Sequence, residues 1–184
     1  MNMEQVFGKP LVTQEAMRAR IKELGQEITK DYCDKRLVLV GILKGAFAFY
    51  ADLIRVIRLP VRVDFMMVQN QKSHGSSQEQ IKVMTDVTED IQDRDLLLVE
   101  DIVDSGLTAQ YLITLLGKRK PKSIEVCTLL SKPERRQVHP PIRYVGFEIP
   151  NQYVVGYGLD YQQQYRNLPY LAVLDPNKVE LTNL

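Results

Sequence analysis

The sequence predicts an α/β fold built on a mainly parallel central sheet flanked by helices. Two observations carry this. Strand-length apolar runs alternate with segments of helical period along most of the chain, the order that parallel βαβ units produce. The runs themselves, RLVLVGIL (36–43) above all, are apolar at consecutive positions rather than at every second one, so both faces of such a strand must be covered.

The elements follow from local signals. Met17, Ile21, Leu24 and Ile28 recur at helical spacing behind Thr13, a residue suited to an N-cap, and predict a helix over 13–32. RLVLVGIL is the first strand, AFAFYADLIRVI (46–57) a helix, and VRVDFMMV (61–68) a strand rich in β-branched and aromatic residues. QNQKSHGSSQEQ (69–80) has nothing to bury, and a polar stretch of that length between strands predicts a loop that serves as a mobile lid. IKVMTDV (81–87) and Leu96–Val99 are strands. TAQYLITLLGKRKP (108–121) is a helix whose Leu112, Leu115 and Leu116 face one way, with Gly117 as its C-cap and Pro121 blocking continuation. SIEVCTLL (123–130) and IRYVGFEI (142–149) are the last strands. The chain ends beyond this alternation are expected to form a small hood, and residues 1–184 a single domain.

Composition narrows the function classes. The 24 Lys and Arg against 23 Asp and Glu leave a net charge of +1, so no overall field favours nucleic acid or an anionic membrane. No apolar run approaches the roughly 20 residues of a membrane span, and MNMEQVFGKP lacks the apolar core of a secretory signal. Cys33 and Cys127 make neither a disulfide framework nor a metal-type pair, and Cys127, inside EVCTLL, reads as core filler. A cytoplasmic protein that captures any anionic ligand by local groups is expected.

Those groups concentrate in LLLVEDIVDSGLTAQ (96–110). Ligands of open α/β sheets sit outside the carboxyl ends of the strands, where residues 100–108 fall. Free N–H groups and the dipole at the following helix N-terminus favour a phosphate. Ser105 and Thr108 add hydroxyl donors, and Gly106 allows close backbone approach. Glu100 and Asp101 would repel an anion unless they hold Mg²⁺ or accept from sugar hydroxyls. Asp104 is placed as a general base, although an Asp there also suits a helix N-cap.

VEDIVDSGLT resembles the phosphoribosyl-pyrophosphate (PRPP) signature of type I phosphoribosyltransferases. GILKGAFAFYADL (41–53), VDFM (63–66), LLSKPERR (129–136), VGFEIPNQYVVGYGLDY (145–161) and YRNLPY (165–170) extend the resemblance, in the same order, to the hypoxanthine-guanine phosphoribosyltransferases of purine salvage. The resemblance implies a Mg²⁺-dependent transfer of the phosphoribosyl group from PRPP to a 6-oxopurine, yielding IMP or GMP and pyrophosphate. It implies that Ser105, Gly106, Leu107 and Thr108 cradle the 5′-phosphate. Glu100 and Asp101 would meet the ribose hydroxyls and, with Asp160, the metal. Asp104 would handle the purine N7 proton. Lys132 would donate to the 6-oxo group, Tyr153 would stack on the base and Val154 would present its main chain to the purine edge, with Asp160 nearby. Leu43, Lys44 and Gly45, helped by Arg166, would meet pyrophosphate, and the Leu43–Lys44 peptide is expected to be cis. A homodimer or homotetramer is expected on the same ground.

Taken singly, each position has a plainer explanation: Lys132 as a solvated lysine, Tyr153 as core, Asp160 as a turn residue, Arg166 as a partner of any surface acid. One departure stands out. The family's lid carries a Ser-Tyr pair just after the VDFM strand, whereas this chain reads Gln69-Asn70-Gln71-Lys72, with Ser73 and His74 following and no tyrosine between Tyr50 and Tyr111. The alternative function is a regulatory protein that kept the fold to sense PRPP or nucleotide. The near-neutral charge and the joint presence of Asp104, Lys132 and Tyr153 favour the enzyme.

Overall fold

The computed structural model describes residues 9–72 and 79–174. The first helix, α1 (Gln14–Asp31), is capped by Thr13, whose hydroxyl accepts from the Ala16 N–H at 3.2 Å, and it buries Met17, Ile21, Leu24 and Ile28. There follow β1 (Leu37–Leu43), α2 (Phe47–Val56), β2 (Arg62–Lys72), β3 (Glu79–Thr85), β4 (Asp95–Val103), α3 (Leu107–Gly117), β5 (Ser123–Ser131), a 3₁₀ turn (Pro133–Arg135) and β6 (Ile142–Glu148). The strand order is β3-β2-β1-β4-β5-β6, parallel throughout except for the antiparallel edge strand β3.

The apolar runs are sandwiched as their composition requires. Leu37 and Leu39 of β1, with Leu97 and Val99 of β4, pack against α1 and α2. Val38 and Val40, with Leu96 and Leu98, pack against Leu112 and Leu116 of α3. The period-two alternation of each strand thus feeds two separate cores, one per face. Cys127 is buried in the first of these.

The hood is built from both sides of the chain. A two-stranded antiparallel sheet, β7 (Val154–Val155) with β8 (Ala172–Val173), is joined by a bridge between Val12 and Leu171. Tyr157 in the hood donates its hydroxyl to Asp52 of α2, which pins the hood to that helix.

Two expectations need correction. The stretch 69–80 is not a loop at either end: Gln69–Lys72 pairs with Glu79–Lys82 as a continuation of the β2–β3 hairpin. Backbone pairing there needs no buried side chain, which is why composition concealed it. The expected lid tip, including Ser73 and His74, lies outside the described residues. Gly117 is not the C-cap of α3. Lys118 caps the helix, and the left-handed turn falls on Lys120, φ 54°.

Candidate active site

The carboxyl ends of β1 and β4, the N-terminus of α3 and the hood enclose an open cleft of about 970 Å³. Leu43, Lys44, Gly45, Glu100, Asp101, Asp104, Ser105, Gly106, Leu107, Thr108, Asp160 and Arg166 all line it.

The phosphate-type turn forms because Gly106 can adopt φ 85°, a conformation an L side chain resists. A Cβ there would also run into the Val138 carbonyl. Glycine as N-cap leaves the first turn of α3 without a side-chain cap; only a long 3.4 Å contact from the Leu107 N–H to Ser105 Oγ is made. The first-turn N–H groups therefore face the cleft as donors. The segment behind the turn holds it in shape, since the Gln137 and Val138 N–H groups donate to the Ser105 carbonyl at 2.9 and 3.2 Å.

A second turn closes over the acids. The Leu43–Lys44 peptide is cis, and Gly45 packs so tightly on Asp101 that a Cβ would fall on its Oδ2. Gly158 in turn leaves no room for a Cβ against the Gly45 carbonyl. Hood, turn and acid thus stack in direct contact.

Glu100 is buried, 4% exposed, and its Oε1 has no hydrogen-bond partner. Desolvation, with the charge of Asp101 beside it, pushes its carboxyl up to about 8 against the opposing Arg136 guanidinium. Asp101 is pushed up to about 6 by desolvation and by Asp160, despite the Ile102 N–H and the charge of Arg166. Such a pair at a strand end is short of positive charge. The third expected metal ligand, Asp160, also lines the cleft, and its carboxylate takes Arg166 at 2.8 Å and the Gln163 N–H at 2.8 Å. Among the described residues no three acidic, His or Cys side chains converge to hold a metal ion. Glu100 and Asp101 remain as two adjacent carboxylates, which is the number Mg²⁺ commonly takes from protein when substrate oxygens complete its shell.

Asp104 stands between two cations. Arg135 Nε donates to its Oδ1 at 3.0 Å, and Lys132 Nζ lies 3.6 Å from its Oδ2. Lys132 is buried, 8% exposed, and so is not the solvated lysine its charged surroundings suggest. Lys132, Tyr153 and Val154 do not line the cleft itself. Lys132 reaches it through Asp104. Tyr153 is 54% exposed, meets Tyr161 edge to face at 5.8 Å and donates to the Asp160 carbonyl at 3.1 Å. The Val154 side chain is buried, and the residue pairs with Val173. Arg166 is fixed by the Gly158 carbonyl at 2.8 Å as well as by Asp160.

Three polar residues escaped the sequence reading as site residues: Arg135 and Gln137 line the cleft, and Arg136 braces it from behind. Arg136 donates to the carbonyls of Val103 and Asp104, each at 2.6 Å, and to Ser131 Oγ at 3.0 Å. The available signal was two adjacent arginines directly after the end of a buried strand, in KPERRQ.

A family model, the phosphoribosyl transferase domain, matches residues 9–162. The chain is 49% identical over 172 residues to the hypoxanthine-guanine phosphoribosyltransferase of Mycobacterium avium, covering 90% of this chain and 85% of that one. It is 48% identical over 164 residues to the hypoxanthine phosphoribosyltransferase of Salmonella typhimurium, covering 88% and 92%. A crystal structure of a hypoxanthine phosphoribosyltransferase from Staphylococcus aureus aligns with TM-score 0.90 at 42% identity, covering 96% and 97% of the two chains. Sequence, fold and the acid-rich strand end agree: the chain belongs to the hypoxanthine-guanine phosphoribosyltransferase branch of the phosphoribosyl transferase domain family.

Proposed function

We propose that the protein transfers the phosphoribosyl group of PRPP to hypoxanthine or guanine, forming IMP or GMP and pyrophosphate. The observation that carries this is the strand end itself: a charge-deficient acid pair, an uncapped helix N-terminus and a carboxylate between two cations share one cleft.

The purine N9 lone pair forms the bond to C1′ as the C1′–O bond to pyrophosphate breaks, and the electron pair leaves with pyrophosphate. Asp104 accepts the N7 proton of the base. Lys132 donates to the 6-oxo oxygen. An adenine amino group offers no acceptor, so a buried Lys132 ammonium facing it would lose a hydrogen bond; this is the basis for preferring 6-oxopurines. Tyr153 stacks on the base and the Val154 main chain meets its edge. The first turn of α3, from Ser105 to Thr108, binds the 5′-phosphate. Lys44, Arg166 and the backbone of Leu43 and Gly45 receive pyrophosphate. Glu100 and Asp101 accept from the ribose hydroxyls and would hold Mg²⁺, which supplies charge neutralisation for the departing pyrophosphate. Asp160, at the same cleft, orders Arg166 and stands as the third acid near the metal.

A homo-oligomer in the cytoplasm accompanies this reading. Val63 and Phe65, exposed on β2, are apolar surface that a second copy would cover, and analytical ultracentrifugation checks it.

The deciding experiment supplies purified protein with PRPP, Mg²⁺ and each purine base in turn and follows nucleotide formation. Product is expected with hypoxanthine and guanine and not with adenine. No product with any 6-oxopurine overturns the proposal.

A further inference from the structure

Arg135 has no part in the reaction as just described, yet among the described residues it makes the closer of the two cationic contacts to the Asp104 carboxylate. It ends the 3₁₀ turn after β5, where its N–H donates to the Lys132 carbonyl at 3.1 Å, and its half-exposed side chain reaches into the cleft. Each oxygen of Asp104 therefore faces one cation: Oδ1 takes Arg135 at 3.0 Å, and Oδ2 faces Lys132 at 3.6 Å. The two cations are not equivalent. Lys132 is buried and its contact is long, and the purine 6-oxo group needs it. Once Lys132 turns to a base, Asp104 keeps one charged partner. The neighbouring Arg136 cannot replace it, since that guanidinium is spent on the Val103 and Asp104 carbonyls and on Ser131.

We propose that Arg135 is a positioning residue for the proton-accepting step. Its Nε–H holds Asp104 through Oδ1 in one rotamer, so that Oδ2 faces the purine proton when Lys132 moves to the base. A guanidinium suits the task because its planar fork fixes an angle as well as a charge, whereas an ammonium supplies the charge alone. Both partners are local to the cleft, and neither belongs to a core cluster, so removing Arg135 leaves the fold untouched. This role rests on the assignment of Asp104 and Lys132 made under the proposed function.

The test measures kcat and KM for hypoxanthine and PRPP in wild type, Arg135→Gln, Arg135→Lys, Asp104→Asn and the double variant Asp104→Asn/Arg135→Gln. Arg135→Gln is expected to lower kcat about three- to tenfold, because a half-exposed pair is screened, while KM for PRPP stays unchanged. Arg135→Lys recovers part of the loss. In the Asp104→Asn background, Arg135→Gln costs nothing further, since the partner it positions is gone. A normal kcat in Arg135→Gln, or the same fold-loss in both backgrounds, overturns the role of Arg135 and leaves the proposed function standing. A wild-type protein that forms no nucleotide overturns the function and this role together.

Discussion

The sheet treats its acids in opposite ways at its two ends. Near the start of β5 and β6, Glu125 accepts from the Tyr32 hydroxyl at 2.7 Å and from Arg143 at 2.9 Å, and Asp31 accepts from Arg143 and from the Tyr144 hydroxyl, each at 2.8 Å. Every carboxylate there has its donors. At the far end Glu100 keeps a buried oxygen without a partner, Asp101 sits beside it, and Asp104 is held at the cleft by Arg135 and by a long contact to Lys132. The first cluster ties α1 to the sheet edge. The second leaves charge uncompensated where a ligand would compensate it. A buried acid that folding leaves unsatisfied is unfavourable unless binding supplies the partner, so the contrast separates acids that hold the fold from acids held ready by it.

The contrast breaks most sharply on Asp104. Asp104→Asn should lower kcat roughly 10²- to 10⁴-fold while the melting temperature stays near wild type; steady-state kinetics beside a thermal melt check both halves. Glu125→Ala should do the reverse. It strands the hydroxyl of Tyr32, a residue 1% exposed, and should cost about 1–3 kcal/mol in a urea titration with kcat/KM unchanged. Glu100→Gln should both weaken turnover and raise the melting temperature at pH 8, by about 2–4 °C, because it deletes a buried charge that Arg136 offsets only in part. An unchanged melting temperature would mean that Glu100 already has its compensation.

The pH dependence of stability differs in sign between the two ends. The Glu100 carboxyl stands at about 8 in the folded chain against an ordinary 4.5, so between those values the folded state keeps a proton the unfolded state has lost. Stability should fall as pH rises through that window, and added Mg²⁺ should restore more of it at pH 8 than at pH 6. Asp31 is held below its ordinary 3.8, chiefly by the Tyr144 hydroxyl and by Arg143. Its contribution is present above that value and lost as pH falls through the lowered one. Melting temperatures from pH 3 to 9, with and without Mg²⁺, separate the two.

Where sequence reasoning worked, the signal was local. The apolar runs of β1 and β4 demanded cover on both faces, and Thr13 capped α1 as its chemistry suggests. It missed where backbone pairing, invisible in side-chain composition, decides structure: Gln69–Lys72 and Glu79–Lys82 are strand although nothing in them asks to be buried. Gly117 was the obvious helix stop, yet the left-handed turn fell on Lys120 three residues on, because the helix end is set by how the chain returns to β5.

By itself the sequence determined the alternation of strands and helices, the acid-rich turn at one strand end and the family to which both belong, since these are written in adjacent residues and short-range periodicity. Only the tertiary structure decided which acids are satisfied. The meeting of Asp104 with Arg135 and Lys132, the bracing of the turn by Arg136, the hood pressed onto Gly45 and the stranded oxygen of Glu100 all join residues far apart in the chain. A carboxylate's energy depends on the water and charge around it, and those are set only when the sheet closes.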